Sequence, residues 1–152
     1  MRRKFLSVVL CVCMMLTMAP FAFAAETEVA QVGSQKYTSL EAAVNAVGDD
    51  GATVTLLNNV MLDSTLVLNK SLTLDLNGHK ISNGSSLGTS YLIQINHSSK
   101  VTLVGNARNS LIQDTRNNDM GTITAICVYG ELTISGSYLT ISRGANGIAV
   151  KV

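Results

Sequence analysis

The chain reads as an all-β protein whose parallel strands stack into a solenoid, and three observations point there. Ser71-Leu72-Thr73-Leu74, Lys100-Val101-Thr102-Leu103 and Glu131-Leu132-Thr133-Ile134 are versions of one phrase, recurring at nearly equal intervals. Ile81, Ile112 and Ile141 keep the same beat, each in a short strand-like run after a turn. Two phases on one period of ~30 residues predict units that bury their apolar faces only against their neighbours. From Ala52 onward, moreover, apolar residues follow a period of two and helical spacing is absent: Val54, Leu56 and Val60, then Leu66-Val67-Leu68, then Leu72-Thr73-Leu74-Asp75-Leu76.

Residues 1–24 read as a secretory signal peptide. Met1-Arg2-Arg3-Lys4 is cationic, Phe5 to Met18 is apolar, and Ala22-Phe23-Ala24 has the small-x-small form of a cleavage site. An uncleaved anchor is the alternative; Pro20 and the cleavage site after it favour removal, with a mature start at Ala25. Leu10 before Cys11 and Val12 before Cys13 are too large for lipoprotein processing. No second apolar stretch is long enough to span a bilayer, so no membrane association is expected after cleavage. The stretch from Ala25 to Val152 has a length that suits one domain. The leader carries three of the eleven basic residues and none of the ten acidic ones, leaving eight against ten and a net charge of −2. A surface with neither a basic stripe nor an aromatic-plus-Arg platform argues against nucleic-acid and anionic-membrane partners. Cys127, the one cysteine left, lies in the apolar run Ile123 to Val128 and is expected to be a buried small hydrophobe.

Residues 25–51 are expected to form a strand, a turn and a helix that cap the coil. Val29 to Val32 reads as the strand and Gly33 to Tyr37 as the turn; Thr38 or Ser39 then caps a helix with Leu40, Ala43, Val44 and Val47 on one face. Glu41 falls in its first turn and Gly48-Asp49-Asp50-Gly51 stops it. Such a helix can cover the open end of a strand stack, which otherwise invites end-to-end pairing.

Residues 52–152 are expected to be the coil itself. The first strand of each turn falls near 72–76, 101–104 and 132–135, the second near 80–82, 111–113 and 139–142, the third near 91–95, 123–128 and 147–150. Leu72, Leu74 and Leu76, Val101 and Leu103, and Leu132 and Ile134 would stack inward, with Thr73, Thr102 and Thr133 as an outer ladder and Lys100 beside Glu131. Asn77-Gly78, Asn83-Gly84, Gly105-Asn106 and Asn146-Gly147 mark the bends. Asn-Gly also suits antiparallel hairpins, but a hairpin meander needs no period of ~30 residues.

Leu74-Asp75-Leu76-Asn77-Gly78-His79-Lys80-Ile81, preceded by Val32-Gly33 and Tyr37-Thr38-Ser39-Leu40-Glu41-Ala42-Ala43, resembles the opening of secreted bacterial β-helix proteins of the pectin-lyase-like superfamily. More narrowly, the chain over residues 30–150 is similar to modules of large surface proteins of Gram-positive gut bacteria. The resemblance implies a right-handed parallel β-helix of about three rungs, secreted or held at the cell surface. That scaffold carries lyases, hydrolases, adhesins and inert stalks, so chemistry has to be argued from residues.

A lyase needs Arg or Lys as base, often with Ca²⁺ held by several carboxylates. The candidates are Arg108, Arg116 and Arg143 with Asp114 and Asp119; Asp114 to Arg116 and Asn117 to Asp119 are expected in one long solvated loop between strands, and no acidic triplet falls on successive rungs. A glycosidase needs two facing carboxylates, yet the counterparts of Asp75 on the next rungs are Val104 and Ser135, and Asp75 is expected to bond a neighbouring turn. His79 and His97 have no ligand company for zinc, and Gly84-Ser85-Ser86-Leu87-Gly88 precedes a strand instead of the helix a nucleophile elbow requires. Neither a cofactor nor a metal is expected. For sugar binding the platforms are Tyr91 and Tyr138. Gly147 to Val152 ends in an apolar strand without a cap, which predicts an exposed rung open to self-association and a chain that is the first part of a longer protein. The expected function is a structural or adhesive extracellular module facing polysaccharide or host glycan. The alternative is the front of a polysaccharide lyase or glycoside hydrolase whose active site lies beyond this chain.

Overall fold

The computed structural model describes residues 27–48, 51–116, 123–144 and 148–152. The leader, Asp119 and the Asn146-Gly147 bend lie outside these residues. The chain opens with strands β1 (Ala30–Val32) and β2 (Gln35–Tyr37) and helix α1 (Leu40–Ala46). Four passes follow: β3 (Thr53–Leu56), β4 (Val60–Leu62), β5 (Leu66–Leu68); β6 (Leu72–Asp75), β7 (Lys80–Asn83), β8 (Tyr91–Ile95); β9 (Lys100–Val104), β10 (Leu111–Asp114), β11 (Thr124–Val128); β12 (Glu131–Ser135), β13 (Thr140–Arg143), β14 (Ile148–Lys151). Each pass adds one strand to each of three sheets, ordered β12-β9-β6-β3-β1-β2, β13-β10-β7-β4 and β14-β11-β8-β5. Pairing is parallel throughout the passes; β1 alone pairs antiparallel, with β2 and β3, among the described strands.

The protein is thus all-β with one short helix, and the expected three strands per turn are present. The count of turns differs: β3, β4 and β5 form an additional first pass. Its register partners (Val54↔Leu74, Val60↔Ile81, Leu66↔Ile93) lie closer along the chain than those of later passes, so a repeat of ~30 residues does not register it.

Like stacks on like. Leu72 pairs with Val101 and Leu74 with Leu103, all buried, while Thr73, Thr102 and Thr133 form the outer ladder. Fully burying one such aliphatic side chain contributes about 1.5–3 kcal/mol, against about 0.2–1 kcal/mol for an exposed pair such as Lys100–Glu131 at 3.1 Å. The last pass has a neighbour on one side only, so Leu132 is half-buried and Ile134 is 52% exposed.

The cap forms as its residues dictate. The Ser39 hydroxyl accepts from the Ala42 N–H at 3.1 Å, Glu41 sits in the first turn, and Leu40, Ala43, Val44 and Val47 are buried against the stack. At the other end Lys70 Nζ donates to the carbonyls of Asn45 (3.0 Å) and Val47 (2.5 Å), placing a cation on the negative end of the helix. The β1–β2 hairpin covers the edge of β3.

Bends between sheets use the asparagine chemistry of hairpins for another purpose. Asn77 (φ 47°) and Gly78 (φ 80°) make a tight turn closed by His79 N–H to Leu76 C=O at 2.7 Å, yet the strands on either side enter different sheets. Other asparagines staple one pass to the next: Asn77 Nδ2 donates to Leu56 C=O (3.1 Å), Asn59 Oδ1 accepts from Lys80 N–H (2.8 Å), and Asn83 Oδ1 accepts from Thr115 N–H (2.8 Å). Each satisfies a backbone group that a bend removes from the ladder. The turns also nest. A Cβ on Gly136 (φ 98°) would lie 2.6 Å from the Gly105 backbone, and one on Gly105 would lie 2.6 Å from Leu139 Cβ.

Gly136→Ala therefore meets both a left-handed φ and a backbone wall, whereas Gly33→Ala (φ 59°) meets nothing within 4 Å. Urea unfolding is expected to show a loss of about 1–3 kcal/mol for the first and a smaller loss for the second; equal losses would remove nesting as the reason for Gly136.

Candidate functional site

The charged residues with the densest connections serve the fold. Asp114 is the last residue of β10, shares a face with Ile112, and is 0% exposed; the solvated loop expected there is instead a strand end turned inward. Arg116 closes on it as a fork, Nε to Oδ1 at 2.9 Å and Nη2 to Oδ2 at 2.6 Å, with 15% of its side chain exposed. Its remaining nitrogen, Nη1, donates to the carbonyls of Leu87 (2.9 Å) and Thr89, tying the loop between β7 and β8 to the end of β10. An arginine with its fork on a carboxylate and Nη1 on two carbonyls is a staple, with no basic lone pair to take a proton. The Gly84-x-Ser-x-Gly88 string lies in that stapled loop between two strands, as expected.

Asp75 Oδ1 accepts from the Asn77 N–H at 2.9 Å, the bond to a neighbouring turn that its position predicts, and its register neighbours are Thr55 and Val104. No group of three or more His, Cys, Asp or Glu that could hold a metal occurs among the described residues. Cys127 is buried in β11, a strand covered on both faces.

The two tyrosines expected to present platforms are not brought together. Tyr91 opens β8 in the third sheet and is half-buried, and its carbonyl accepts from the Thr65 hydroxyl at 2.7 Å. Tyr138 lies in the turn before β13 and is 45% exposed. Tyr91 has a different companion, Tyr129, which sequence reasoning missed. Tyr129 is 46% exposed and its ring is 5.4 Å from that of His97 at an interplanar angle of 37°. The Cys127 thiol and then the Tyr91 hydroxyl hold the Tyr129 phenol well above the usual tyrosine range. Its place was readable from register: it follows Val128 as Asn96 follows Ile95 and Asn69 follows Leu68, and the side chains of Asn96 and Asn69 bond to each other.

Tyr138 meets Arg108, whose Cζ lies 5.5 Å from the Tyr138 ring centre. The turn from β9 to β10 spans residues 105–110, two residues longer than its equivalents 76–79 and 136–139. It bears Asn109 at φ 69° and lifts Arg108 over the next pass. Between the two turns runs a groove of about 560 Å³ lined by Arg108 to Leu111 and Ser137 to Thr140. The sequence assigns Arg108 and Tyr138 to separate chemistries, proton abstraction and sugar stacking; the fold makes them one site. A smaller cleft of about 190 Å³ lies between α1 and β5, with Glu41 and Asn45 on one side and Thr65 and Asn69 on the other.

No helix of the described residues is long and apolar enough to cross a membrane. No family model, curated protein or solved structure matches the chain.

Arg116→Ala leaves Asp114 buried without its cation and frees the 84–90 loop. The expected loss is about 3–5 kcal/mol in equilibrium unfolding; a loss below about 1 kcal/mol would mean the staple is dispensable. The raised Tyr129 phenol gives a second expectation. In alkaline spectrophotometric titration, Tyr129→Phe removes a component that ionises above the ordinary tyrosine pKa of about 10. The raised phenol contributes stability fully present below that value and lost as the pH climbs through the raised one. An unchanged high-pH limb in the variant would refute it.

Proposed function

We propose that the chain is a secreted, non-catalytic module of a bacterial cell surface, structural or adhesive, built as a right-handed parallel β-helix of the pectin-lyase-like kind. The observation that carries this reading is the in-register stacking of four passes through three sheets, with polar ladders outward and the buried Asp114–Arg116 ion pair turned to the service of a loop. Parallel strands joined by crossovers turn right-handed in nearly all known cases. The cationic, apolar and small-residue sequence of residues 1–24 supports export, with Ala25 as the first mature residue. Rows of threonine and asparagine on flat outer faces suit hydrogen bonding to sugars, and Arg116, one of the lyase base candidates, is held in its staple.

Expression of the full chain in a Gram-positive host is expected to deliver protein to the culture fluid or wall fraction, with an N-terminus at Ala25 by mass spectrometry. The same protein incubated with uronate and neutral polysaccharides is expected to release neither unsaturated uronate nor new reducing ends. Retention in the cytosol with Met1 intact would overturn the export reading, and product release the non-catalytic one.

A further inference from the structure

We propose that the groove between the 105–110 turn and the 136–139 turn binds the oxyanion of an anionic saccharide, a carboxylate or a sulfate, through Arg108 stacked on Tyr138. The inference rests on the reading of the chain as a glycan-facing module and names its site and ligand class.

Several basic residues elsewhere on the surface are already engaged. Lys36 holds Glu28 at 2.6 Å, Lys100 holds Glu131 at 3.1 Å, Arg116 holds Asp114 at 2.6 Å, and Lys70 is spent on the carbonyls of α1. Arg108 is exposed and has no carboxylate partner among the described residues, and the groove lining contains no acidic residue. Lys80 likewise has no carboxylate partner among them; it stands one strand from Leu111 in the column Lys80, Leu111, Thr140, so a second basic residue is carried on the strand next to the groove floor. Two cations without an ion-pair partner among the described residues give a positive spot on a mature chain whose net charge is −2, eight basic residues against ten acidic.

Geometry supplies the rest. The cation–π contact with the Tyr138 ring holds the Arg108 guanidinium at the groove, and its N–H fork is of the kind that receives an oxyanion bidentately. The Ser137 and Thr140 hydroxyls and the Asn109 carboxamide are neutral hydrogen-bonding groups suited to sugar hydroxyls, and Leu111 provides an apolar patch for a pyranose face. The groove is large enough for about two or three sugar rings.

The test uses the full chain and three probes of matched length in calorimetric titration: an oligogalacturonate, a heparin-derived sulfated oligosaccharide and a neutral cello-oligosaccharide. The expected result is binding of one or both anionic probes, weakened about tenfold or more by Arg108→Gln and by Tyr138→Ala, with no comparable loss in Lys100→Gln. Which anionic probe binds identifies the source of the oxyanion. Unfolding midpoints are measured on each variant, and Lys80→Gln, on the neighbouring strand, is expected to give a smaller loss should Tyr138→Ala disturb the turn. Unchanged binding in Arg108→Gln overturns the site. Equal affinity for the neutral probe overturns the ligand class while leaving the adhesive module standing, and export with no binding of any probe at millimolar concentration overturns this proposal alone.

Discussion

Parallel register between successive passes is the constraint on which the remaining structure depends. A strand such as β9 buries Val101 and Leu103 beneath their counterparts Leu72 and Leu74 on β6, and a slip of β9 by one residue would send Val101 and Leu103 to the solvent face. No pass has a core of its own. Apolar surface leaves water only where two passes meet, which is why the same positions are fully buried on β6 and β9 and half-open on β12. The N-terminal hairpin and helix answer the same need at the other end, where Leu40, Ala43, Val44 and Val47 supply from a helix the surface that a strand supplies elsewhere.

Register binds the strands but leaves the corners free to differ. Equivalent residues of neighbouring passes are much closer along the chain at one place (Val54↔Leu74) than at another (Ile93↔Ile126), so the excess chain must leave the coil at a bend and return. Each departure takes backbone groups out of the ladder, and the side chains found at corners are those able to replace them. Asparagine does so at Asn59, Asn77 and Asn83. Where the excursion is longer, over 84–90, the charged fork of Arg116 is used, anchored by a carboxylate buried at the strand end. An ion pair in that position trades solvation for geometry, because its fork reaches the strand end while the third nitrogen reaches the loop.

The solenoid, the inward aliphatic columns, the threonine ladder and the capping helix were legible because each is set by periodicity or by a local cap. The first pass was not, since its short bends shift its partners off the ~30-residue beat while its strands keep the same alternation. Asp114 reads as a loop residue for a related reason. A strand end and the loop after it look alike in sequence, and only the alternation Ile112, Asp114 hints that the carboxylate points with the core. Cys127 and Ala125 were readable as buried from the unbroken apolar run, which a strand covered on both faces requires.

The groove was written in the spacings themselves. The step from Thr73 to Thr102 in the first sheet is shorter than the step from Thr102 to Thr133, whereas in the second sheet the step from Ile81 to Ile112 is the longer and that from Ile112 to Ile141 the shorter. That reversal requires extra chain between the first and second strands of the third pass alone, which is where the structure places the longer 105–110 turn. A regular stack presents the same ladder on every pass and so offers no point at which a ligand is distinguished from its neighbour one rung away. Chemistry that selects a partner has to arise where the repeat is broken. The added residues carry Arg108 clear of the ladder and set it against Tyr138 of the following turn, on a corner where no acidic side chain of the described residues competes for the guanidinium. The irregularity that blurs the repeat is thus also what gives one corner of an otherwise repetitive surface its own chemistry.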